Sequence, residues 1–129
     1  MVGLSSYDER GMEFPVEIWL RGQNHATTDV IAPVAVDARA WTDGDVAAVL
    51  VGMLRALDRA SNPGAPERPV VLRGFSWIVN AFESGGVVIA LEMSLGAAVA
   101  GPFDLPERDL TARIERVMLA ERAVTETVH

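Results

Sequence analysis

Three side chains in this sequence are suited to proton transfer or to gripping a polar ligand: Glu92, His25 and Arg73. His25 sits in the polar run Gly22-Gln23-Asn24-His25-Ala26-Thr27-Thr28-Asp29, where an imidazole near an aspartate can act as a general base at neutral pH. Glu92 lies in an apolar run. A carboxylate in apolar surroundings is suited to acid–base work, so Glu92 is the first catalytic suspect. Arg73 lies within a strand-like run, on the same hairpin face as Glu92, and can pair with a carboxylate or hold a ligand anion.

The set is incomplete. The chain has no cysteine, which removes thiolate nucleophiles, iron–sulfur ligation and cysteine-based zinc sites. All eleven basic residues are arginine, so Schiff-base chemistry and the phosphate-loop lysine are absent too. Asp37, Asp43 and Asp45 flank Trp41, but their spacing suits helix capping and lacks the oxygen count of a calcium loop. Neither a metal nor a cofactor is expected, and the balance leans away from an enzyme.

A chain of 129 residues fits one domain. The expected organisation is a leader over residues 1–11, one domain over 12–124 and a frayed end over 125–129. A net charge of −7 argues against nucleic acid, whose binders need a basic stripe, and against an anionic membrane surface. It suits solubility or a basic partner. The N-terminus shows no signal peptide, and the apolar run from Gly85 to Gly101 is short and carries Glu92, so a cytoplasmic location is the expectation.

From Glu13 to Arg21 apolar and polar residues alternate, which predicts a half-buried strand with Phe14, Val16, Ile18 and Leu20 inward and Trp19 on the other face. Pro15 places that strand at an edge or start. Val30 to Asp37 reads as a second strand. Thr42 with Asp45 forms a variant capping box before Val46, Leu50, Met53, Leu54 and Leu57, and Pro63-Gly64 ends that helix. Val70–Phe82 and Val87–Val99 read as two strands joined by Glu83-Ser84-Gly85-Gly86, with Gly101-Pro102 breaking the second. A last helix opens with Asp104 as N-cap and carries Leu110, Ile114, Val117 and Met118 on one face. The predicted fold is α+β: a two-layer sandwich in the order ββαββα, its four-stranded, mostly antiparallel sheet covered by two helices on one face.

A two-residue turn at Ser84-Gly85 would pair Phe82 with Val87, Ile78 with Leu91, Val79 with Ala90 and Trp77 with Glu92. In that register Phe75, Trp77, Val79, Val88 and Ala90 share the face the helices leave open. A contiguous apolar patch of that kind marks a contact site, to be covered by a second copy, by the chain's own N-terminal segment, or by a ligand or other partner. The expected function is therefore an acidic interaction and assembly module, a homodimer through this face, with a further protein partner as an option. The alternative is a small ligand-binding protein or cofactor-free enzyme with an apolar pocket between sheet and helices, where Glu92, Arg73 and His25 supply polar contacts.

Overall fold

A computed structural model describes residues 12–34 and 37–127. The leader expected over residues 1–11 lies outside them. The chain forms β1 (Met12–Leu20), β2 (Thr27–Val34), a 3-10 turn (Ala38–Ala40), α1 (Asp43–Ser61), β3 (Ser76–Ala81), β4 (Val87–Met93), β5 (Gly96–Phe103) and α2 (Glu107–Thr127). The strands make one antiparallel sheet in the order β2-β1-β5-β4-β3. The class is α+β as expected, but the sheet has five strands and the element order is ββαβββα.

The additional strand arises inside Val87–Val99. Met93 pairs with Gly96 across a two-residue turn at Ser94-Leu95. Gly96 permits the next step: a β-carbon there would overlap the Trp19 carbonyl oxygen, and its φ of +154° is one that L side chains rarely adopt. β5 can therefore slot between β1 and β4 as the central strand. It also runs through the cis Gly101–Pro102 peptide to Phe103 and does not end at Gly101. The register shift between Val87 and Ile89 puts a bulge beside Pro102, whose missing N–H a regular ladder could not accommodate.

The turn between β3 and β4 has three residues. Gly85 N–H donates to the Phe82 carbonyl and Phe82 N–H to the Gly86 carbonyl, each at 3.0 Å. Ala81 is thereby opposite Val87, Val79 opposite Ile89, Trp77 opposite Leu91 and Ile78 opposite Ala90. The expected register is off by one residue, and because side chains alternate, the faces of β3 exchange. Val79 is buried, and Phe75 and Trp77 pack against the core on the helix-covered side. They do not share a face with Val88 and Ala90.

The capping box of α1 forms as its sequence implies. The Thr42 hydroxyl accepts from Asp45 N–H at 3.1 Å, and an Asp45 carboxylate oxygen accepts from Thr42 N–H at 2.9 Å. Val46, Val49, Leu50, Met53, Leu54, Ala56 and Leu57 are buried at helical spacing against the sheet. Burying that stripe contributes on the order of 10 kcal/mol before conformational entropy is subtracted. Of the small residues on this helix, Ala56 is buried and Gly52 faces Ile31 of β2, so the small side chains serve close packing onto the sheet.

α2 starts later than Asp104: the Pro106 carbonyl accepts from Asp109 N–H and Leu110 N–H. Asp104 is paired with Arg39 at 3.5 Å instead. The helix runs to Thr127. Leu110, Ile114 and Val117 enter the core, and Trp41, Phe14 and Phe103 close one end of it as an edge-to-face cluster with centroids 4.9–6.0 Å apart.

Candidate functional site: the open sheet face

Both helices lie on one side of the sheet: α1 over β1, β2 and β5, and α2 beside α1 and over β3. Among the described residues nothing covers the opposite face. One row across it runs Trp19, Ala97, Glu92, Ser76, and the next runs Thr28, Glu17, Val99, Ala90, Ile78. A third brings Pro15 beside Val30 and Val88 beside Asn80. The small residues at the centre, Ala90, Ala97 and Val99, come from β4 and β5. Trp19, Val30 and Ile78, 44–53% exposed, rise around it.

Arg21 ties down the end of β1. Its backbone N–H donates to the Leu95 carbonyl and its Nε to the Ser94 carbonyl, both at 2.9 Å. Trp19 is thus held beside the β4–β5 turn. Glu17 and Glu92 stand on the open face, exposed, with no hydrogen bond or ion pair among the described residues.

The three suspected catalytic residues do not converge. Glu92 is on the open face, while Trp77, expected beside it, points to the core side. His25 is exposed in the β1–β2 loop. The aspartate nearest it in sequence, Asp29, is engaged elsewhere, accepting from Arg59 Nη2 at 2.9 Å and from the Val30 N–H at 2.7 Å. No His25–Asp29 dyad forms. Arg73 lies in the loop ahead of β3 and not on the hairpin, so it shares no sheet face with Glu92. No group of three or more acidic or histidine side chains among the described residues could hold a metal ion. No described helix is long and apolar enough to cross a membrane.

The perturbed ionisable groups are structural. A hydrogen bond from Arg116, at 3.0 Å, holds the Asp43 carboxyl below its ordinary range, and Asp43 in turn raises Arg116. Asp58 is lowered in the same way by Arg68. One pair ties the start of α1 to α2, and the other ties the end of α1 to the loop before β3.

Trp19 was visible in the sequence as the aromatic on the polar face of the first strand. Ile78 was hidden by the register, and the contribution of β5 (Ala97, Val99) by the unrecognised turn. Searches of family models, of curated proteins and of solved structures find no match to this chain.

Proposed function

We propose that the chain is an assembly module that pairs with a second copy of itself through the open sheet face. The observation that carries this reading is the exposed apolar set Trp19, Val30 and Ile78 around a centre of Ala90, Ala97 and Val99. Monomers seldom leave a contiguous apolar patch in water.

The topology is suited to self-pairing. With β5 in the middle and two strands on each side, a two-fold axis along β5 lays β1 of one copy over β4 of the other, and β2 over β3. Trp19 then comes over Glu92 and Glu17 over Ala90. No carboxylate is forced against another, and the indole N–H gains an acceptor in Glu92. Packed sheets sit about 10 Å apart, so the small central residues leave room for the larger side chains around them to interdigitate. The face is about 24 Å across and about 20 Å along the strands, a footprint of about 500 Å². Side-chain relief carries it toward the roughly 800 Å² per partner of a standard interface. A reversible dimer follows.

Phe75, Trp77 and Val79, expected in the contact, are replaced by Trp19, Val30 and Ile78, whereas Val88 and Ala90 keep their place in it. Sedimentation equilibrium of the wild type and of the Ile78→Arg variant tests the reading, with Val71→Arg, an exposed loop position, as control. Ile78→Arg is expected to sediment as a monomer and Val71→Arg like the wild type. Association of Ile78→Arg at wild-type strength contradicts the proposal.

A further inference from the structure

A second concavity lies on the helix side, away from the open face. It is a cleft of about 320 Å³ between Leu54 and Asp58 of α1, the stretch from Arg68 to Arg73, and Met93 and Leu95 at the β4–β5 turn. Leu54 is buried and Val70 and Met93 are half-buried, which gives it an apolar floor. Arg68, Arg73 and Asp58 stand around its mouth.

These charges are not equivalent. Asp58 is taken: Arg68 forms an ion pair with it and Asn62 Nδ2 donates to it at 3.1 Å. Arg73 has no hydrogen bond or ion pair among the described residues, although acidic residues outnumber basic ones in this chain. It also lines the adjoining cleft formed with Leu72, Phe75, Met118, Glu121 and Arg122. An unengaged guanidinium is thus set at the edge of the apolar floor of Leu54, Val70 and Met93.

We propose that this cleft binds a small amphipathic carboxylate, with its head on Arg73 and its alkyl or aryl body on Leu54, Val70 and Met93. The planar guanidinium matches a carboxylate through two parallel hydrogen bonds. Of the two arginines lining this cleft only Arg73 is uncommitted, which suits one negative charge, whereas a phosphate dianion would call for more. The volume sits at the low end of small-molecule sites, which sets the size at a medium chain or a single ring. The site is independent of the assembly reading, because it lies on the other side of the sheet.

Amide chemical shifts of the wild type and of Arg73→Gln, titrated with octanoate and with 1-octanol up to about 10 mM, test it. Octanoate is expected to shift residues 54, 70, 71, 93 and 95 saturably and to bind more tightly than octanol. Arg73→Gln should weaken octanoate about tenfold and leave octanol unchanged, the size of effect a charge-assisted hydrogen bond supports. Arg73 is exposed, so the variant keeps its core. Four outcomes would overturn the proposal: no saturable shift, shifts confined to Trp19 and Ile78, octanol matching octanoate in the wild type, or an unaltered octanoate affinity in Arg73→Gln.

Discussion

Gly52 of α1 lies directly against Ile31 of β2, so close that a β-carbon on the glycine would overlap the Ile31 Cγ2. Alanine is the better helix former by about 1 kcal/mol, yet the buried Ile31 has nowhere to move. The clash wins. Gly52→Ala is expected to lose about 1–3 kcal/mol in urea denaturation. Adding Ile31→Ala should cost less in the Gly52→Ala background than in the wild type. Strict additivity would mean the two side chains do not meet.

Neighbouring residues on β3 face opposite ways, so their substitutions should behave differently. Trp77 packs on the core and Ile78 is 53% exposed. Trp77→Ala is expected to cost about 3–5 kcal/mol, somewhat less where its outer edge is already wet. Ile78→Ala should stay within about 0.5 kcal/mol when measured at a concentration where the chain is monomeric. Equal losses would put the register of the β3–β4 hairpin in error.

The reciprocal bonds between Thr42 and Asp45 satisfy free amides at the start of α1. Thr42→Ala should lower stability by about 1 kcal/mol, while Thr42→Asp, another capping residue, retains most of it. Thermal melts of the three proteins at neutral pH are sufficient to rank them, and an Asp variant no better than Ala would remove the cap from the account.

Asp43 and Asp58 titrate below their ordinary range because Arg116 and Arg68 hydrogen-bond their charged forms. A carboxyl whose folded pKa is depressed adds stability that is fully present above its unfolded value, about 4, and is lost as pH falls through the folded value. Both pairs are near the surface, so the effect is modest and screened by salt. Unfolding midpoints should fall on acidification below about pH 4, and less steeply in Asp43→Asn/Asp58→Asn. An unchanged acid limb in that double variant would show that other carboxyls carry it.

Much of this architecture is written locally. The alternation of Phe14, Val16 and Ile18 places β1, and Thr42, Asp45 and the 3.6-residue apolar spacing define α1 from its cap to Pro63. The hairpin around Gly85-Gly86 is equally plain, but its loop length is not. Two adjacent glycines serve a two-residue or a three-residue turn, and one residue of difference exchanges every side chain of β3 between core and surface. The Ser94-Leu95 turn carries no Asn-Gly or Gly-first signal of the favoured two-residue hairpins, and the informative glycine comes just after it, at position 96. The insertion of β5 between β1 and β4 is a long-range pairing that no local pattern encodes. Hence Trp19, Val88 and Ala90 were legible as members of the open face, while Ile78, Ala97 and Val99 were not.

The mass of the wild-type chain in solution, by light scattering across a dilution series, tests the assembly reading most directly. A concentration-dependent rise from the 13.9 kDa monomer toward twice that mass is expected, abolished in Ile78→Arg. A constant 13.9 kDa up to about 1 mM, where even weak pairing would register, contradicts it.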